Sequence, residues 1–251
     1  MVYTKKVGFK TKLGYSKGRA GRTYTRKKTS VKAVGVKAVA KQVAKTVIHR
    51  MAENKRLILG YEDLDVRGLT KYYINPIQHV AKGTNENNRV GDVMTNVRLQ
   101  LSMSYFHNGV NNVGVKLWQG SALRVLVIKS HKQNPTLAGQ WSSTPVVGGV
   151  FDNLFASDYG GSYSPVNLQD YTLLADQTLH STTPDGALNN GVPAQLRWNI
   201  PLCKRWSYLD NDVYGKFNNI YVIVTVSGVQ TSSTDYMGKL QCNGYLTWED
   251  M

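Results

Sequence analysis

The side chains best placed to do chemistry in this 251-residue chain are cations near its start. Lys5, Lys6, Lys10, Lys12, Lys17, Arg19, Arg22, Arg26, Lys27 and Lys28 lie along a stretch almost free of aliphatic residues. On an extended chain each can meet a phosphate, and the counterions released would make binding weaken steeply with salt. Tyr15 and Tyr24, with Tyr3 and Phe9, are interleaved among these cations. An aromatic ring stacks on an unpaired base whatever its identity, so this pattern expects single-stranded nucleic acid as ligand. Arg26-Lys27-Lys28, with Arg19 and Arg22 upstream, also has the composition of a nuclear-import signal. That would be a second use of the same charge, and a tail that only aids solubility is the plainer alternative.

The placement of the charge says more than its size. Of a net +15, the first 56 residues hold seventeen Lys and Arg against one acid, Glu53, a balance of +16. The remainder holds fourteen basic and fifteen acidic residues, a balance of −1. A basic tail on a near-neutral body expects a dense polyanion as partner, not a globally cationic enzyme.

Patterns for catalysis are missing. There is no G-x-S-x-G, H-E-x-x-H, phosphate-binding G-x-x-x-x-G-K-[ST] or dinucleotide fingerprint. His49, His79, His107, His131 and His180 are widely separated and lack metal-ligand spacing. Asp210-Asn211-Asp212 resembles part of a calcium loop but lacks its glycine and distant Glu. The expectation is therefore no enzyme, no cofactor and no metal. Cys203 and Cys242 have no C-x-x-C spacing, and two reduced thiols are expected over one disulfide. No secretory signal and no bilayer-length apolar run occurs, so a soluble intracellular chain without membrane insertion is expected.

These residues need elements to position them. Residues 1–30 cannot bury a core and are expected to be disordered alone. Val36, Val39, Val43, Val47 and Met51 then recur at helical spacing, with Lys37, Lys41, Lys45 and His49 on another face. A basic amphipathic helix over 36–54 follows, and residues 1–56 form one basic arm. Three readings of the helix stand open. The Val face packs under the body while Lys37, Lys41 and Lys45 meet nucleic acid, with Lys32, ahead of the helix, as a further contact; or the helix is docked with a solvated basic face; or it lies on an anionic membrane.

From Leu69 onward, within a body of residues 57–251, the pattern is β. Val93 to Tyr105 shows six consecutive period-2 repeats, Val93, Thr95, Val97, Leu99, Leu101, Met103 and Tyr105 sharing one face. Further strands are expected at Lys71–Ile77, Leu123–Lys129, Tyr171–Leu179, Gln195–Ile200, Phe217–Val226 and Lys239–Trp248. Loops are expected at Gly83–Asn88, His107–Gly114, Asn134–Gly149 and Thr182–Gly191. About eight strands with no strand–helix alternation give an all-β, two-sheet sandwich, and a single jelly roll fits. Leu123–Ile128 and Tyr221–Val226 are apolar on both faces and should be central strands. Trp118, Trp141, Tyr159, Tyr163, Trp206 and Tyr208 lie in or beside loops, where they serve protein contacts or cover the sandwich ends.

Three segments carry a family resemblance. Gly83-Thr84-Asn85-Glu86-Asn87-Asn88-Arg89-Val90-Gly91-Asp92 leads into Val93–Tyr105, Asp170-Tyr171-Thr172-Leu173-Leu174-Ala175-Asp176 opens a later strand, and Gly244-Tyr245-Leu246-Thr247-Trp248-Glu249-Asp250 closes the chain. Together with the arm they resemble the capsid proteins of circular, replication-initiator-encoding single-stranded DNA viruses, the circovirus-like group. The resemblance implies a single jelly roll, an inward-facing arm and a T=1-like icosahedral homo-oligomer of about sixty copies. It also implies a single-stranded genome, DNA expected over RNA, with a virion and host-nucleus location and with host import and attachment receptors as further partners. Such a shell would carry on the order of 1,000 arm charges, which would neutralise a substantial part of a genome of roughly one to three kilobases and leave the rest to small cations. Two rivals remain: a monomeric cellular nucleic-acid-binding module with a disordered basic tail, and a lectin-like or enzymatic jelly roll whose tail only targets it.

Overall fold

The structure is a computed structural model that describes residues 38–44, 53–85, 87–110, 120–131, 141–145, 151–155, 164–182, 192–208, 219–227 and 235–250. The chain divides into two units, Met1–Ala52 and Glu53–Met251. In the first, residues 38–44 are helical, within the segment where valine spacing predicts a helix.

Nine strands occupy the described part of the second unit: β1 (Glu53–Arg67), β2 (Thr70–Ile74), β3 (Val93–Val110), β4 (Gly120–Ser130), β5 (Ser142–Pro145), β6 (Tyr171–Thr182), β7 (Ala194–Ser207), β8 (Ile220–Ser227) and β9 (Tyr236–Asp250). They form a four-stranded sheet in the order β1-β9-β3-β7 and a five-stranded sheet in the order β5-β2-β8-β4-β6. Every pairing within the sheets is antiparallel. With the four-residue edge strand β5 set aside, the remaining eight strands have the connectivity of a jelly roll.

The core between the sheets is built by alternation. Val97, Leu99, Leu101, Met103 and Tyr105 of β3 and Leu240, Leu246 and Trp248 of β9 face Leu123, Val125 and Val127 of β4 and Val222 and Val224 of β8. Each fully buried aliphatic side chain of this set contributes about 1.5–3 kcal/mol. The opposite faces of β4 and β8 are covered too: Leu126, Ile128, Tyr221 and Ile223 form a second cluster with Phe151, Leu154, Phe155 and Val166. The Phe151 ring stands edge-on to Tyr73 and Tyr221, at centroid distances of 5.3 and 5.0 Å. The doubly apolar strands are thus central, as their composition requires. Two buried cations fasten the cover. Lys71 Nζ donates to the Phe151 carbonyl at 2.8 Å, and Arg124 donates to the Ser164 carbonyl at 2.7 Å while gripping Asp176 with two further bonds.

Several expectations are corrected. β1 begins at Glu53, so Glu53 and Asn54 lie in a strand rather than at the end of a helix, and Lys55 and Arg56 belong to the sheet rather than the arm. The alternation of β1 is hidden because it changes phase: Leu57 and Leu59 pack against the core before a bulge at Gly60 (φ 89°), Leu64 and Val66 after it. Similarly, β3 alternates strictly only from Val97, because Met94 as well as Val97 is buried. β3 continues through His107, whose ring is buried against Ser121 with Nδ1 2.7 Å from its Oγ, so the loop expected there starts later. Asn75 ends β2 early by capping a 3-10 turn at Pro76–His79. β5 lies inside the expected Asn134–Gly149 loop. β7 continues past Pro201, which an edge strand tolerates. Trp206 and Tyr208 are buried in the core, which excludes a contact role for either side chain. Trp118, Tyr159, Tyr163, His49 and Asp210-Asn211-Asp212 lie outside the described residues. Cys203 and Cys242 are free thiols, pushed up by burial to about 11 and about 12. Among the described residues no helix is long and apolar enough to cross a membrane, and no cluster of metal-ligating side chains occurs.

The loop before β3 is held by charge. Arg89 is buried and its guanidinium lies 3.8 Å from the centre of the Tyr208 ring. It also donates to the Gly91 carbonyl at 2.7 Å and to Asp92 at 2.8 Å. The backbone N–H of Val90 donates to Asp250, whose carboxylate is 3.8 Å from the buried Lys55 ammonium. One aspartate therefore joins the loop, the first strand and the last strand.

Two experiments check these points. Gly238 has φ 151°, and a Cβ there would sit 2.1 Å from the Phe106 carbonyl oxygen, whereas a Cβ at Gly60 would meet nothing. Gly60→Ala should therefore cost only backbone strain, about 1–3 kcal/mol. Gly238→Ala should cost clearly more, because β3 and β9 must separate; urea denaturation followed by Trp fluorescence gives both. The second concerns Asp92, whose pKa is lowered by the Arg89 hydrogen bond first and the Lys82 bond next. A depressed carboxylate stabilises the fold above the ordinary carboxylate range, and that contribution is lost as pH falls through the lowered value. Asp92→Asn should be less stable at neutral pH and lose less stability on acidification, measured as urea midpoints across pH.

Candidate nucleic-acid interface

The arm residues predicted to hold nucleic acid, Lys5 through Lys28, Lys32, Lys37, Lys45, Tyr15 and Tyr24, lie outside the described residues. Lys41 is described and is exposed on the helical segment, as are Val39 and Val43. The structure brings together a second set of cations, on the solvent face of the four-stranded sheet.

This set is assembled by a break in register. Between β3 and β9 the pairing passes from Thr95↔Glu249 to Arg98↔Thr247, three residues against two. Between β3 and β7 it passes from Val97↔Cys203 to Arg98↔Pro201, so the extra residue lies on β7. Asn96 takes up the bend at φ 50°, a conformation asparagine tolerates better than most residues. Two neighbouring bulges at one level open the sheet, and a groove of about 810 Å³ lies there.

Arg56 enters the groove from β1, Arg98 from β3 and Lys204 from β7, all three exposed. Arg98 Nε donates to Asn199 Oδ1 at 3.2 Å, and the Arg56 guanidinium lies 5.3 Å from the centre of the Tyr245 ring. Glu249 is the acidic side chain of the wall, and it accepts from Asn96 Nδ2 at 2.7 Å. Lys55, also in the lining, faces Asp250 within the interior. Trp248 forms part of the floor, and its buried Nε1–H has no hydrogen-bond partner among the described residues. Beside the groove a smaller hollow of about 310 Å³ is lined by residues that include Gln100, Arg197, Asn199, Asn243 and Tyr245. The face as a whole offers cations for anionic groups, amides that both donate and accept, and an aromatic ring.

No sequence window reveals this set. Arg56, Arg98 and the β7 pair Arg197 and Lys204 come from distant parts of the sequence, and only the β1-β9-β3-β7 order makes them neighbours. The local clue is Asn96, a poor strand residue inside the most regular alternation of the chain. Arg89, in the segment that carries the family resemblance, is a buried structural clamp and is not part of this face.

No family model matches the chain, and no curated protein matches it. Among solved structures, the chain is similar to one from the full particle of Israeli acute paralysis virus heated to 63 degrees, at 10% identity and a TM-score of 0.24, covering 78% of this chain and 71% of that one. It is also similar to the tailspike protein of Acinetobacter baumannii phage AM24, at 9% identity and a TM-score of 0.20, covering 80% of this chain but only 26% of that one. The jelly-roll assignment rests on the strand order and not on these likenesses.

Proposed function

We propose that this chain is a capsid protein, whose jelly-roll body self-assembles into a small closed shell and whose basic N-terminal segment packages single-stranded nucleic acid. The observation that carries the reading is the division of charge: residues 1–52, with a balance of +15, are joined to a jelly-roll body, 53–251, whose sixteen basic and sixteen acidic residues cancel. A near-neutral body can approach copies of itself without strong mutual repulsion, while the tail supplies the charge that neutralises phosphate. The circovirus-like resemblance of Gly83–Asp92, Asp170–Asp176 and Gly244–Asp250 supports a T=1-like particle, a DNA genome, and Arg19, Arg22, Arg26, Lys27 and Lys28 as an import signal. No catalytic step is assigned to the chain.

Electron microscopy and light scattering of the expressed protein test this. Closed particles containing nucleic acid are expected, and deleting residues 1–28 should remove that content while circular dichroism of the body stays unchanged. Monomers alone, with and without single-stranded DNA across salt conditions, would instead identify a tailed nucleic-acid-binding module. Unfolding of the truncated protein would overturn the division of labour between tail and body.

A further inference from the structure

We propose that the solvent face of the four-stranded sheet is a second nucleic-acid contact, a groove at the double bulge that seats unpaired nucleotides with phosphates on Arg98, Lys204 and Arg56 and a base against Tyr245. The proposal rests on the reading that this chain handles single-stranded nucleic acid, and it concerns residues outside the basic arm.

Charge gives the first argument. Three exposed cations from three strands converge on one groove, against the single carboxylate of Glu249, which is already engaged by Asn96. Lys55, the fourth cation of the lining, is buried and faces Asp250 behind it. An anionic occupant offsets this excess, and a phosphodiester strand carries one such charge per nucleotide.

Geometry gives the second. At about 810 Å³ the groove falls in the size range of small-ligand sites, of roughly 300–1,000 Å³. Bulges of this kind often lie beside functional sites, because they aim side chains that a regular ladder would keep apart. Here the pairing passes three residues of β3 against two of β9, and Asn96 and Arg98 stand exposed in the lining of the groove.

The chemistry beside the cations gives the third, and it separates a nucleotide from other anions. Tyr245 presents an aromatic ring in the same surface, with Arg56 above it in a stack that a base can extend. Gln100, Asn199 and Asn243 line the adjoining hollow, and each amide can both donate to and accept from a base edge. These groups suit a nucleic acid whose bases are free of Watson–Crick partners, since each base offers a face to the ring and a donor–acceptor edge to the amides.

The test uses the full chain and a short oligothymidylate. Ultraviolet cross-linking of the wild-type protein followed by peptide mass spectrometry should give adducts on the Tyr245 peptide of β9 as well as in residues 1–52. In salt titrations, Arg98→Gln with Lys204→Gln should lower the log–log slope by about 1.4, two phosphate contacts at about 0.7 each for a single strand. Tyr245→Leu should lower the β9 adduct yield at least about tenfold, in line with the loss of one base–aromatic stack. Both variants alter solvent-facing side chains, and a thermal melt confirms that they fold. Cross-links confined to residues 1–52, together with an unchanged salt slope, would overturn the proposal. So would variants that keep the slope but lose self-association, which would assign the groove to another copy of the chain. Particle formation by the same preparations is a separate readout: shells without β9 adducts sink the groove and leave the capsid reading, while β9 adducts on a persistent monomer do the reverse.

Discussion

Every strand of both sheets must turn one face toward a single shared core, and this requirement shapes the rest of the molecule. A strand meets it by strict alternation, with side chains pointing in and out by turns. Where the sequence breaks that alternation, a regular ladder would push a charge inward or a hydrophobic side chain outward. The chain instead inserts a residue. In β1 the inserted bend falls at Gly60, where φ of 89° needs glycine, and it brings Leu64 and Val66 back to the core after Leu57 and Leu59. In β3 it falls at Asn96, so that Met94 and Val97 both point inward. The groove on the solvent face is the other side of this second correction. Packing and the candidate site are thus two consequences of one register shift.

The buried ions do a different task. Lys71, Arg89, Arg124 and Lys55 are all nearly excluded from solvent, and a buried charge is costly unless its hydrogen bonds are met. Three of them hold non-strand chain in place. Lys71 and Arg124 bond the carbonyls of Phe151 and Ser164 over the five-stranded sheet, and Arg89 bonds the turn at Gly91 and Asp92. Lys55 differs, since its partner Asp250 also accepts from Val90 and so links the two neighbouring strands to that turn. Apolar packing would stabilise as much or more at such positions, but it does not fix where an irregular segment lies. A cation bonded to a particular carbonyl does.

The sequence made the class of fold plain, because period-2 patterning with both-face apolar runs has no helical explanation. β4 and β8 were legible as central strands for the same reason, Leu123–Ile128 and Tyr221–Val226 being apolar on either face. What stayed hidden has one cause. β1 reads as a charged, irregular segment because the bulge at Gly60 splits four core residues into two phases, and Lys55 faces inward among them. Pro201 looks like the end of β7, although an edge strand has one side on which the missing N–H costs nothing. β5 makes only four pairs and carries no hydrophobic signal. The basic arm is a reading of composition alone, since apart from Lys41 its expected nucleic-acid-binding residues lie outside the described residues. The sheet-face cations were not legible in that way, since their proximity arises from strand order across distant parts of the chain.

A charged tail and a charged groove answer different physical demands on a polyanion. Cations on a long, loosely spaced segment act collectively: each phosphate contact adds a similar increment, none is fixed in position, and the sum depends strongly on salt. Such a segment can hold a nucleic acid but cannot give it a place. The groove has few charges, yet they are fixed by paired strands at a register break and stand beside a ring and amides of defined direction. Interactions of that kind add little to total neutralisation and much to position. If the body is repeated around a shell, a fixed contact on each copy would impose the symmetry of the protein on the part of the nucleic acid nearest it. The tails would then condense the remainder without order.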